Sequence, residues 1–196
     1  MQAIKWEEID EPGDGRFELP KADGFVVRIT GVKDDEPNQK IVVTYDIAEG
    51  PHAGIFAASE FATRNAWLHE FEVGYGTEWN QWQNKEVDQK PRFKRFFTNI
   101  EKSNPGYRFD GVNPQGFVGK LVGVVFKDHY KTNDRGYDDH RWYFVRSYEA
   151  EQIRKGDYKV PAPVDKRVAR DRPNPFAEAS EPAGYDAAYY DPIPFR

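Results

Sequence analysis

The chain has 196 residues, 38% of them hydrophobic and 15% aromatic, and it contains no cysteine. This length suits a single domain with a core and appendages. The absence of cysteine excludes disulfides and cysteine-based zinc or redox sites, and no apolar run approaches the roughly 18 residues that a membrane-spanning helix needs. The first residues also lack the basic and apolar regions of a signal peptide, so we expect a cytoplasmic protein.

Charge is distributed unevenly along the chain. Residues 1–23 carry seven acids against three bases, and residues 171–196 carry five acids against two bases. Residues 24–170 are therefore mildly basic, although the net charge of the whole chain is −5. An acidic average thus conceals a basic, aromatic-rich body with acidic ends, and this body is the part to consider for polyanionic partners.

Two antiparallel strands are predicted at residues 25–33 and 40–48, joined by the turn sequence DDEPNQ. Alternation places an apolar set on one face, which we expect to be the core, and polar residues including Arg28 and Lys40 on the other. The predicted core set is Phe25, Val27, Ile29, Ile41, Val43, Tyr45 and Ile47.

The next segment is predicted to begin as a third strand near Ile55 and to become a helix over residues 58–71. Trp67 lies in this segment, and Trp79 and Trp82 follow it. These three rings either pack on the core or stand out as stacking surfaces, and the sequence leaves both alternatives open.

An amphipathic helix of about three turns is predicted to begin near Pro91, a residue suited to the first turn. Its apolar residues recur at helical spacing, and the sequence NPG marks its end. The apolar residues are Phe93, Phe96, Phe97 and Ile100.

The clearest strand pair is GFVGKLVGVVFKDHY with its return, RWYFVRSYEA. Gly119 and Gly123 interrupt the first strand, which indicates a bend or a close backbone approach. Residues 131–140 are predicted to form a long loop between the two strands.

Alternation sorts the returning strand into two faces, with Trp142, Phe144 and Arg146 on one and Tyr143 and Val145 on the other. Two alternatives follow for the rings. Either Trp142 and Phe144 face outward as a stacking surface, or they pack in the core and Tyr143 is the exposed ring.

The order of elements predicts a mainly β protein with an OB-fold-like five-stranded antiparallel barrel and helical insertions. A plain antiparallel sheet packed by helices is the competing architecture. We expect an acidic leader at residues 1–23, the OB-fold domain at residues 24–158, and a disordered tail at residues 159–196. The tail is rich in Pro, Ala, Asp and Arg and almost lacks aliphatic residues.

The sequence contains no glycine-rich phosphate loop, no HExxH motif and no GxSxG motif, so we expect no enzymatic activity and no cofactor or metal. One cluster of acids and histidines flanks the last hairpin and could in principle surround a divalent metal, but we favour the interpretation as turn-forming acids in a solvated loop. It comprises Asp128, His129, Asp138, Asp139 and His140.

Rings and cations concentrated in the last hairpin predict binding of single-stranded nucleic acid, in which aromatic faces stack on bases and Lys or Arg contact phosphates. The basic segment at residues 165–172, which includes Lys166, either contacts nucleic acid as well or holds the acidic tail. The predicted DNA-binding residues are Arg28, Lys40, Lys120, Lys127, Tyr130, Lys131, Arg135, Tyr137, Arg141, Trp142, Phe144 and Arg146.

The C-terminal sequence Asp191-Pro192-Ile193-Pro194-Phe195 resembles the acidic Asp-Asp-Ile-Pro-Phe terminus of bacterial single-stranded DNA-binding proteins. The leader, the stretch VTYDIAEGPHAGIF and the helix that precedes GFVGKLVGVVF are similar to those of phage-encoded members. The resemblance implies an OB-fold body, a disordered linker and a tip that recruits replication, recombination and repair proteins. Pro192 replaces an acid and Arg196 follows the phenylalanine, so docking is expected to be weaker, directed at another partner, or dependent on trimming.

These observations predict a non-enzymatic protein that binds and protects single-stranded DNA with little sequence preference and recruits partners through its tip. Its oligomeric state is left open, and no membrane partner is expected. A carbohydrate or protein interaction module is the alternative, since ring-rich β-barrels also stack on sugars. A metal-dependent nuclease using the acid and histidine cluster is a weaker one.

Overall fold

Alternating apolar residues build the strands of the main sheet, and the computed structural model describes residues 17–80, 84–133 and 136–167. The strands are β1 (Gly24–Asp35), β2 (Lys40–Ile47), β3 (Glu70–Gly74), β4 (Thr77–Asn80), β5 (Lys85–Asp88), β6 (Leu121–Thr132), β7 (Asp138–Tyr148) and β8 (Val164–Lys166). The helices are α1 (Glu60–Arg64), α2 (Lys90–Ser103) and α3 (Ala150–Arg154). Within the described residues, no helix is long and apolar enough to cross a membrane.

The main sheet has the strand order β3-β2-β1-β6-β7, with all neighbours antiparallel, and β8 pairs in parallel with β6. The strands β4 and β5 form a separate hairpin. The prediction of a mainly β, antiparallel fold is confirmed. Within the described residues no hydrogen-bonded ladder joins the edge strands β3 and β7, so the sheet is not a closed barrel. The rings of Phe71 and Phe144 nevertheless bridge these two edges, with centroids 4.4 Å apart.

The core lies on one face of β1 and β2, as the alternation predicts. Val27 and Ile29 of β1 are buried with all four apolar residues that the pattern assigns to β2, and Phe25 packs against them half-buried. The first helix after this hairpin is much shorter than expected. The structure has α1 there, capped by Ser59, followed by one 3-10 turn at Ala66–Leu68, and Phe71 belongs to β3, where it pairs with Val43.

The predicted helix after Pro91 is confirmed as α2, with Phe96 and Ile100 buried. Asn104 ends it and fixes it to β6, because its side chain both donates to and accepts from the backbone of Leu121 at 2.7 and 2.9 Å. The strand expected near Ile55 is wrong, since that segment forms turns.

The folded unit is longer at both ends than the predicted domain. Ala22 is buried in the core cluster, and its amide donates to Asp128 at 2.9 Å, so part of the acidic leader belongs to the fold. Within the segment predicted to be disordered, β8 pairs with β6. A three-residue strand in a proline-rich segment has too little alternation to be recognised from sequence.

One predicted close approach is confirmed at Gly123. A Cβ atom there would lie 2.6 Å from Cγ1 of Ile153 and 2.8 Å from the carbonyl oxygen of Glu149, so α3 rests directly on β6. Gly119 instead lies before β6, in a turn where its φ of +81° favours glycine. The outer face of β6 is therefore covered by α3 near the start of the strand.

Candidate nucleic-acid interface

The far half of the β6–β7 hairpin extends beyond β1. The pairing of β1 with β6 ends at Val125, whereas β7 accompanies β6 as far as Thr132, and β8 joins β6 at residues 129–131. This part of the sheet is a three-stranded ribbon with the order β7-β6-β8. The predicted loop at residues 131–140 is therefore too long, because β6 continues to Thr132 and β7 begins at Asp138.

Register places a basic set on the outer face of this ribbon. Residues directly opposite one another in an antiparallel pair point to the same side, so the pairs Lys127 with Tyr143 and His129 with Arg141 share a face. Lys166 of β8 pairs with Lys131 on that face. We call this surface the basic platform, and its rings and cations are Lys127, His129, Lys131, Arg141, Tyr143, Arg146 and Lys166. The acid Asp139 lies on the same face, opposite Lys131.

A β-bulge explains why Arg146 belongs to the platform. Val125 pairs with Arg146 and the next residue, Phe126, pairs with Phe144, so Val145 is an extra residue in β7. The prediction that Arg146 shares a face with Trp142 and Phe144 is therefore wrong. Strict alternation fails at the bulge, and no residue type in the sequence predicts a bulge at this position.

The cations of the platform are largely unneutralised. Within the described residues, Lys127, Lys131, Lys166 and Arg146 form no ion pair. Arg141 alone is paired, with Asp139 at 2.7 Å. Four cations therefore remain available to an anionic ligand on one side of the ribbon.

Exposed rings lie among these cations. The Tyr143 side chain is 46% exposed, and its ring centroid lies 4.7 Å from that of His129. Trp67 is 44% exposed, and the Arg141 guanidinium lies over its ring at 4.5 Å. Trp67, Arg141 and Tyr143 line one groove between β7 and β3, together with the acids Glu70 and Glu72. The platform therefore continues across Arg141 to a second ring.

Trp142 and Phe144 lie on the inner face and pack against the core. Trp142 stacks on Phe25 and Phe126 at 4.9 and 5.2 Å, and its Nε1 donates to the carbonyl oxygen of Pro20. The alternative in which these two rings face outward is wrong, and the alternative in which Tyr143 is exposed is confirmed.

Three other predicted cations lie away from the platform. Arg28 donates to the carbonyl oxygen of Gly119, beside Lys120, at the opposite end of β6. Lys40 is paired with Glu72 at 2.8 Å, and this hydrogen bond raises its pKa. These three residues do not converge with the hairpin cations.

The remaining predicted residues fall on the inner face, at the tip or outside the structure. Tyr130 is on the inner face, stacked on His140 at 4.5 Å with Arg167 over its ring. Tyr137 is 68% exposed near the tip. Arg135, Trp82 and the tip residues Asp191, Pro192, Ile193, Pro194 and Phe195 lie outside the described residues.

The acids and histidines of the hairpin divide between its two faces instead of surrounding a common centre. Asp128 and His140 lie on the inner face, 2.7 Å apart, whereas His129 and Asp139 lie on the outer face. Among the described residues no group of three or more such side chains could hold a metal ion. Nothing in this arrangement supports the nuclease alternative.

Sequence reasoning did not assign Tyr143 or His129 to nucleic-acid binding. His129 lies two residues from both Lys127 and Lys131, and Tyr143 lies opposite Lys127. Alternation alone puts His129 on the same face as these lysines, but Tyr143 can be assigned to that face only when the pairing of β6 with β7 is known. Trp79 is also exposed, at 56%, on the separate β4–β5 hairpin.

No family model and no curated protein matches the chain.

Proposed function

We propose that the protein binds single-stranded DNA with little sequence preference, using the basic platform and without catalysing a reaction. The observation that carries the proposal is the coincidence, on one face of the ribbon, of an exposed ring with four cations that form no ion pair within the described residues. Lysine and arginine side chains follow phosphates, while an exposed ring stacks on any base because every base has a π-face. Neither kind of contact requires a particular sequence.

The placement of the platform fits a partly open OB-type barrel, which we propose as the finer description of the fold. Support comes from the strand order, from the position of α2 before β6, and from the contact between Phe71 and Phe144 across the open edges. OB folds commonly bind strands on the face of their second and third strands. Here that face carries Glu70 and Glu72, so we assign binding to the hairpin.

Recruitment of other proteins is part of the proposal. It rests on the sequence of the tip, from Asp191 to Phe195, in which an acidic residue is followed by two apolar residues that each come directly after a proline. We expect deletion of residues 193–196 to leave strand binding unchanged and to abolish capture of a purified replication or recombination protein. Loss of strand binding in this variant would contradict the division of labour.

Titration of the full chain with poly-dT, followed by tryptophan fluorescence at low and high salt, tests the proposal. Trp67 lies at the edge of the platform and serves as a reporter. Four phosphate contacts give an expected slope of about −3 in log affinity against log salt, because single strands contribute about −0.7 per contact. The absence of both quenching and salt-sensitive binding would refute it. A sugar ligand would show almost no salt dependence.

A further inference from the structure

His129 occupies the middle of the platform without a hydrogen-bond partner. It lies on β6 between Lys127 and Lys131, and its Nδ1 atom is buried and makes no hydrogen bond within the described residues. Of its two ring nitrogens only Nδ1 is buried in this way, so Nε2 is the one that a ligand on the platform can reach.

Charged groups from all three strands of the ribbon face this histidine. Its own strand contributes Lys127 and Lys131, and β8 contributes Lys166. The facing strand β7 contributes Arg141, which lies directly opposite His129 in the register, and the ring of Tyr143. It also contributes Asp139, which is the one acid within the described residues that raises the pKa of His129 and which is paired with Arg141. Cations therefore outnumber acids around the ring.

The imidazole is consequently neutral in the free protein at neutral pH. Burial lowers the pKa of His129, and the charges of Lys166, Lys127 and Lys131 lower it further, while Asp139 opposes them weakly. The unperturbed value for histidine is about 6.5, so a lowered pKa leaves little charge at pH 7. A phosphate held by the surrounding lysines would reverse this field.

We propose that His129 is a further phosphate contact of the platform, one that takes up a proton as the strand binds and donates a charged hydrogen bond from Nε2. The inference rests on the proposed strand binding and adds a residue to it. The proton comes from solvent, and no covalent bond changes. The lysines provide charge at every pH, whereas His129 adds charge only when a phosphate has arrived.

The direction of the pH effect follows from linkage. A bound phosphate favours the imidazolium, so the pKa of His129 is higher in the complex than in the free protein. Between these two values binding takes up protons, and affinity therefore rises as pH falls. Uptake of one proton per site changes the dissociation constant by at most tenfold per pH unit.

The experiment measures poly-dT affinity at about pH 8 and about pH 5.5, on either side of the ordinary histidine value, at constant ionic strength. We compare the wild-type chain with His129→Gln and with the control His52→Gln, which changes a histidine in the cleft beside Glu49 and Arg154. We expect the gain in affinity at low pH to shrink several-fold in His129→Gln and to persist in His52→Gln.

Equal pH dependence in the wild type and His129→Gln would overturn the inference while leaving strand binding established. Failure of the wild type to bind poly-dT at either pH would overturn strand binding itself. An NMR titration of the His129 ring, with and without a dT oligonucleotide, gives a second readout. It uses only the wild-type protein and therefore does not depend on the folding of a variant. We expect a higher pKa in the complex, and an unchanged value would refute proton uptake.

Discussion

The outer and inner faces of the β6–β7 hairpin are made by alternate residues of the same two strands, yet they differ in the burial of their rings and in the charges beside them. The inner face places Trp142 and Phe144 against the core. The outer face places Tyr143 among Lys127 and other cations that form no ion pair within the described residues.

The comparison shows that aromatic content alone does not identify a binding surface. Rings occur on both faces, and the inner ones stabilise the fold by stacking on each other. What separates the two faces is burial and neighbouring charge, since Trp142 and Phe144 pack against the core whereas Tyr143 is exposed beside Lys127.

The largest expected effect is on stability and belongs to the inner face. Trp142→Ala removes stacking on Phe25 and Phe126 and leaves a cavity, so we expect the free energy of unfolding to fall by about 3–5 kcal/mol. Urea denaturation measures this change. The neighbouring Tyr143→Ala should alter stability by no more than about 0.5 kcal/mol, and comparable losses in the two variants would break the distinction between the faces.

Strand affinity should respond in the opposite way. Tyr143→Ala removes a stacking ring worth about 1–3 kcal/mol of binding free energy. We therefore expect the dissociation constant for poly-dT to rise roughly 5- to 150-fold. Tyr143→Phe should retain binding because the ring remains. Trp79→Ala deletes an equally exposed ring outside the platform, and an equal loss of affinity there would show that the assay responds to any exposed ring.

The covered and open halves of the outer face give a further contrast. Gly123→Ala should destabilise the fold by about 1–3 kcal/mol, because its Cβ would clash with Ile153 and the Glu149 carbonyl. Gly31→Ala is the matched control, since its nearest contact would be Thr44 Oγ1 at 3.4 Å. Thermal or urea unfolding distinguishes the two variants, and equal stabilities would mean that α3 does not rest on β6.

The smallest effect concerns a single charge. Lys131→Ala should reduce the salt slope of poly-dT binding by about 0.7, because one phosphate contact is lost. Lys120→Ala removes the same charge at the other end of β6 and should leave the slope unchanged. If the salt slope became smaller only in the Lys120 variant, the DNA would bind at the opposite end of the sheet.

The sequence predicts the regular parts of this fold well and the site less well, for physical reasons. Alternation is sufficient to find the core face of β1 and β2, and helical spacing is sufficient for α2, because each pattern is local. The faces of β7 depend on a bulge at Val145, which only the pairing with β6 reveals. Lys166 joins the platform through a strand pairing with β6 that its own short, proline-flanked segment does not signal.

The most direct test of the platform compares two triple variants of equal charge. Lys127, Lys131 and Lys166 are changed to Glu in one, and Lys33, Lys94 and Lys120 are changed to Glu in the other. Poly-dT affinity at low salt is measured for both, with urea unfolding as the check on folding. We expect the platform variant to lose at least about 100-fold in affinity and the control variant to stay within about threefold of wild type. Equal losses in the two variants, or wild-type affinity in the platform variant, would contradict strand binding at the platform.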